Sequence, residues 1–75
     1  MKRIIDGFLY DTDTAELLYY SKMERTSYYR TPKHRYFVVY SNGEFEVVTE
    51  DFIKDILGKY DIDKYIEIFG EPQEG

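Results

Sequence analysis

Three carboxylates, Asp11, Asp13 and Glu16, lie close together in the stretch YDTDTAELLYY, from Tyr10 to Tyr20. Acids so placed could hold a divalent cation or act as acid and base in phosphate chemistry. A calcium loop of the EF-hand type needs an oxygen at its fifth place, a glycine at its sixth and a glutamate at its twelfth. Counted from Asp11, those places hold Ala15, Glu16 and Lys22, so the match fails. A metal-assisted phosphate site on Asp11 and Asp13 would have to borrow further ligands from its substrate. Short Asp and Thr residues alternating between apolar segments more commonly satisfy their own backbone as Asx- and Thr-turns. The sequence therefore predicts a turn here.

The other residue types capable of chemistry form no motif. His34 is the only histidine, placed between Lys33 and Arg35, and no serine or threonine stands in a nucleophile motif with it. There is no glycine-rich phosphate loop. No enzyme activity, metal or cofactor is expected.

Two charged segments point instead to binding. Between residues 22 and 36, Lys22, Arg25, Arg30, Lys33 and Arg35 alternate with Tyr28, Tyr29 and Tyr36, against the single acid Glu24. Cations neutralise phosphates and aromatic rings stack on bases, so Tyr28, Tyr29, Arg30, Lys33, Arg35 and Tyr36 form a candidate nucleotide or single-strand patch. Lys33, Phe37, Val38 and Tyr40 echo the RNA-recognition consensus, but His34, Arg35 and Tyr36 break it. Toward the C-terminus, Asp51, Asp55, Asp61, Asp63 and Glu67 can crowd the outward side of helices. Such a row of carboxylates imitates the charge of a nucleic-acid backbone and suits a basic protein partner. Residues 1–40 carry seven Lys/Arg against five Asp/Glu, and residues 41–75 carry three Lys against ten Asp/Glu. The net charge of −5 thus belongs to the second half.

The elements that must position these residues are hairpins and helices. Asp6-Gly7, between Arg3-Ile4-Ile5 and Phe8-Leu9-Tyr10, is a type I′ hairpin signal. Ala15 to Met23 could form a short helix started by Asp13 or Thr14, but the Tyr19-Tyr20 pair and the neighbouring β-rich segments favour a strand. Ser27 to Thr31 and Arg35 to Ser41 read as strands joined through Pro32-Lys33-His34. Asn42-Gly43 reads as a second two-residue hairpin, with Tyr40 opposite Phe45 and Val38 opposite Val47. In that register Tyr28, Arg30, Tyr36, Val38, Tyr40, Phe45 and Val47 share the face turned to the helices. Tyr29, Arg35, Phe37, Val39, Glu44, Glu46 and Val48 share the other, either half covered by the N-terminal hairpin or left as a contact surface. Thr49 caps a helix whose apolar stripe is Phe52, Ile53, Ile56, Leu57 and Tyr60. Asp61 caps a second, with Ile62, Tyr65, Ile66 and Phe69 inward, stopped by Gly70 and Pro72. The expected fold is α+β: one domain over 1–75, a hairpin sheet over 1–49, two short helices over 50–70 packed on one face, and a tail over 71–75.

A chain of 75 residues without cysteine has no disulfide staple and must bury its core with large side chains. Nine tyrosines and five phenylalanines, 19% of the residues, supply them. That many tyrosines exceed one small core, so some should stand at the surface as contact residues. Exposed tyrosines and strand edges are also the features through which a homodimer could form. Neither a signal peptide nor a membrane span is expected, which suggests the cytoplasm.

Several fragments together resemble a family of small proteins carried by phages and mobile elements of Gram-positive bacteria. Lys2-Arg3-Ile4-Ile5-Asp6-Gly7 and Tyr10-Asp11-Thr12-Asp13-Thr14-Ala15-Glu16-Leu17 are similar to its start. Tyr29-Arg30-Thr31, Arg35-Tyr36-Phe37 and Tyr40 are similar to its central hairpin. Thr49-Glu50, Asp63-Lys64-Tyr65 and Glu67-Ile68-Phe69-Gly70-Glu71 are similar to its helical end. The family usually places a glycine where His34 stands, and a glycine-rich insertion before the helices that this chain lacks. The resemblance implies a mobile-element setting and no enzyme chemistry. In that setting small acidic proteins block host machinery, including CRISPR and other anti-phage systems. The expected function is thus a non-enzymatic inhibitor of a host defence protein with a basic, nucleic-acid-binding surface. It would act in the host cytoplasm through its acidic helices or a Tyr-rich sheet surface. The second expectation is direct nucleotide or nucleic-acid binding by the 22–36 segment.

Overall fold

A computed structural model describes residues Met1–Gly75. Six strands precede two helices: β1 (Lys2–Ile5), β2 (Phe8–Asp11), β3 (Glu16–Ser21), β4 (Thr26–Arg30), β5 (Tyr36–Val39), β6 (Phe45–Val48), α1 (Glu50–Tyr60) and α2 (Ile62–Phe69). β1 and β2 pair as a separate hairpin, and the other four form an antiparallel sheet in the order β3-β4-β5-β6. The fold is α+β, hairpins first and helices last. No helix is long and apolar enough to cross a membrane.

The sheet is covered on both faces. Leu18, Tyr28, Tyr36 and Val38 meet Ile53 and Leu57 of α1, with Tyr65, Ile68 and Phe69 of α2 packed against that cluster. Removing Leu57 by an alanine substitution would cost about 2–5 kcal/mol, a large share of the stability of so small a domain. On the opposite face, Phe37 stacks between Tyr29 and Phe45, with centroids 5.0 and 5.5 Å away. Tyr10 of β2 meets Phe37 edge-on at 5.4 Å, and Arg3 of β1 lies 5.2 Å over Phe45. The N-terminal hairpin therefore covers this face in part.

Local chemistry explains most turns. Asp6 and Gly7 have φ of 51° and 80°, as a type I′ turn requires. Thr49 Oγ1 accepts from the Phe52 N–H, and Asp61 Oδ1 accepts from the Lys64 N–H, so both helix caps are where the sequence places them. α1 runs on through Gly58 to Tyr60.

Three features differ from the sequence reading. First, the β5–β6 loop has three residues, not two. The Gly43 N–H donates to Tyr40 O, the Tyr40 N–H donates to Glu44 O, and only Gly43 has positive φ, at 85°. This is a turn closed by a glycine bulge, and it moves the register by one: Val39 faces Phe45, Val38 faces Glu46 and Phe37 faces Val47. A one-residue slip exchanges the faces. Phe45 and Val47 therefore join Phe37 on the hairpin side, and Glu46 and Val48 join Val38 on the helix side.

Second, β3 carries a bulge between Leu17 and Tyr19. Strict alternation would send Leu18 and Tyr19 to opposite faces. The extra residue lets both side chains reach the helix-side cluster. Third, α2 is turned relative to the expected stripe. Ile62 is exposed and Ile68 packs inward, because the inward row runs through Asp61, Lys64, Tyr65, Ile68 and Phe69. Lys64 fixes that rotation by reaching Glu16 of β3 at 3.0 Å.

Candidate functional site

The acid cluster is a turn. Asp11 is buried, and its Oδ1 accepts from the Asp13 N–H at 2.9 Å. Its carbonyl accepts from the N–H groups of Thr14 and Ala15. Glu16 points elsewhere, bonding Arg30 at 2.9 Å and Lys64 at 3.0 Å. Asp11, Asp13 and Glu16 thus do not converge, and no group of three or more His, Asp or Glu side chains is placed to share a metal ion.

The basic and aromatic segment is divided between the two faces of the sheet. Tyr28 and Tyr36 are each 6% exposed, with their rings beneath the helices. Tyr28 packs near Tyr19 and Phe52, and Tyr36 near Phe69. Burial holds both hydroxyls above the ordinary tyrosine range. Arg30 is engaged by Glu16 on the helix side. Tyr29 stacks on Phe37 on the other side. Arg35 lies over the ring of Phe8 at 3.8 Å and donates from Nε to the Tyr10 hydroxyl. Lys33 is exposed in the loop beside the N-terminal hairpin. The six residues therefore form no single surface.

The acidic helical residues are differently placed. Asp51, Asp55, Asp63 and Glu67 are exposed, and Asp61 is half-buried as the cap of α2. Glu67 is paired with Lys64, and Lys54 reaches Glu50 at 3.9 Å. Asp51, Asp55 and Asp63 have no cation within ion-pair distance. Asp51 and Asp55 are one helical turn apart and so share a side of α1.

A feature that the sequence reading did not single out lies at one end of the β3–β4 hairpin. Tyr19, Tyr20, Met23, Glu24, Tyr28 and Tyr60 line a concavity of about 440 Å³, together with Ser21 and Lys22. Tyr60 stacks on Tyr19 with centroids 5.8 Å apart, and Tyr19 leans on Tyr28 at 5.9 Å. Tyr60 is 59% exposed and Met23 95% exposed. The local signal was the Tyr19-Tyr20 pair before a charged turn. The contribution of Tyr60 comes from the far end of α1 and depends on helix docking. Nearby, Tyr40 donates to Glu46, which pushes its hydroxyl up to about 12.

These surfaces define a small α+β protein with an acidic helical side and an aromatic concavity at one end. Comparison of the chain with protein-family models, curated proteins and solved structures finds no match.

Proposed function

We propose that this chain is a non-enzymatic binding protein of phage or mobile-element origin that inhibits a host defence protein by occupying its basic, nucleic-acid-binding surface. The observation that carries this reading is the surplus of unpaired carboxylates on the two helices, where Lys59 is the one cation without a carboxylate partner. Arg30, Lys54 and Lys64 are paired with carboxylates, and Arg3 and Arg35 lie on aromatic rings. Asp51, Asp55 and Asp63 stand exposed and unpaired on the helices. A surplus of unpaired carboxylates on rigid elements steers association with a basic partner and repels nucleic acid. The mobile-element setting rests on the sequence resemblance, and the host cytoplasm follows from that setting.

The test is expression in bacteria that restrict phage through a nucleic-acid-binding nuclease. Plaque counts should rise with the wild-type chain and fall back with the variant Asp51→Lys, Asp55→Lys, Asp63→Lys. An equal rise with that variant would remove the acidic helices from the mechanism. No rise with the wild type in any such host would remove the defence target.

A further inference from the structure

The concavity between the β3–β4 turn and the end of α1 has the composition of a cation site. Tyr19, Tyr20, Tyr28, Tyr60 and Glu24 are among its lining residues, and the rings of Tyr19, Tyr28 and Tyr60 are in mutual contact there. Ring faces carry negative potential and attract ammonium and guanidinium groups. One face of Tyr60 is covered by Tyr19 and the ring is otherwise open to solvent. Glu24 is exposed in the turn and has no ion-pair partner. The Tyr28 hydroxyl is held up first by burial and next by the charge of Glu24, so that carboxylate bears on the buried end of the site. The flexible thioether of Met23 can fold over an occupant that is part apolar and part charged. A lysine or arginine side chain has that character, an aliphatic stem carrying a cationic head.

We infer that this concavity receives a lysine or arginine side chain presented by the partner protein, seated against the exposed ring of Tyr60 and neutralised by Glu24. The inference rests on the reading that the partner is basic, and it names where one of its side chains is anchored. Aromatic pockets that desolvate a single cationic side chain concentrate binding energy at one point, while the acidic helices act as a long-range field. Lys22, the one cation in the wall, opposes such a ligand and provides a test of sign.

The experiment is an amide chemical-shift titration of the full chain with the blocked peptide acetyl-Gly-Arg-Gly-amide, with acetyl-Gly-Glu-Gly-amide as control. Saturable shifts are expected at residues 19–24, 28 and 60 with the arginine peptide alone. Tyr60→Ala and Glu24→Gln should each weaken binding several-fold, and Lys22→Gln should tighten it. Should Tyr60→Ala disturb the fold, Glu24→Gln, in an exposed turn, still decides the matter. Shifts confined to Asp51, Asp55, Asp63 and Glu67 would overturn the inference and leave the basic-partner reading standing. Preference for the glutamate peptide, or no shifts with either, would also overturn it. Arginine-specific shifts in the concavity, together with unchanged plaque counts, would keep the site and discard only the defence target.

Discussion

His34 occupies the left-handed region, with φ of 62°, in the loop where the Thr31 N–H donates to Arg35 O and the His34 N–H donates to Thr31 O. This is a three-residue turn whose last position favours glycine. A side chain there costs about 1–2 kcal/mol, offset in part by the smaller entropy that a non-glycine residue loses on folding. His34→Gly should therefore stabilise the chain by about 0.5–1 kcal/mol, raising the melting temperature by a few degrees. His34→Ala keeps the Cβ and should give no such gain. Thermal melts of the three proteins decide the point, and a glycine variant no more stable than the alanine variant would contradict it. At Asp11 the expected effect is the reverse. Asp11→Ala leaves the Asp13 N–H without its acceptor and should cost about 1–2 kcal/mol, whereas Asp11→Asn retains an acceptor oxygen and most of the stability. Calorimetric titration of the wild type with Mg²⁺ should show no binding heat. Equal stability of the alanine and asparagine variants would contradict the turn role. The turn at Asp11, like the helix caps and the Asp6-Gly7 hairpin, was legible beforehand because its causes lie among neighbours in the chain, whereas the left-handed backbone at His34 was not read from the sequence.

Element boundaries were similarly legible, but element rotations were not. The Asn42-Gly43 dipeptide fits two loop lengths, and the choice between them moved Phe45 and Val47 across the sheet. The β3 bulge and the turning of α2 depend on what Leu18 and Lys64 meet after folding, which no local pattern encodes. α2 has no fully buried residue, so its docking leans on half-buried Tyr65, Ile68 and Phe69 and on the Lys64–Glu16–Arg30 cluster. The hydrogen bond from Lys64, and then that from Arg30, holds the Glu16 carboxyl below its usual range. A lowered carboxyl contributes fully above the ordinary carboxylate range and loses its contribution as pH falls through the depressed value. Because Glu16 is partly exposed, the effect is below about 1 kcal/mol. Amide protection along Tyr65–Phe69, taken relative to the intrinsic exchange rate at each pH, should therefore fall as pH drops below the ordinary carboxylate range, before it falls in β4 and β5, and Lys64→Gln should abolish that difference. A uniform loss of protection would mean that α2 is not held by this cluster. Within α1, a Cβ on Gly58 would meet its nearest neighbour, Tyr65 Cδ2, at an ordinary 4.0 Å. Gly58→Ala should then add about 0.5–1 kcal/mol from helix propensity, measurable by urea unfolding, with a loss of stability indicating that α2 needs the space.

At the scale of the whole molecule, the question is which of two opposite charge fields governs encounter. The sequence shows the division between a basic first half and an acidic second half. It does not show that folding consumes much of the basic part. Arg30 is held by Glu16, Arg35 lies on Phe8, and Tyr28 and Tyr36 are buried. Lys33 and Tyr29 are what remains of that patch toward the hairpin side, on a protein of net charge −5. Binding to a nucleic-acid backbone scales with the number of phosphates neutralised, and each neutralising cation adds to the salt dependence. The cations of the 22–36 segment that keep no carboxylate or ring partner, Lys22, Arg25 and Lys33, lie in two separate turns of an acidic body, and should give no saturable rise in anisotropy of labelled single-stranded DNA or RNA, even at low salt and about 10 μM protein. The same preparation should compete with labelled duplex for a basic nuclease cleft, more effectively at low salt than at high, since the steering is electrostatic. Direct binding that weakens as salt rises and disappears in Arg30→Ala, Arg35→Ala would reverse the assignment. The 22–36 segment would then be the working surface, and the acidic helices would serve solubility alone.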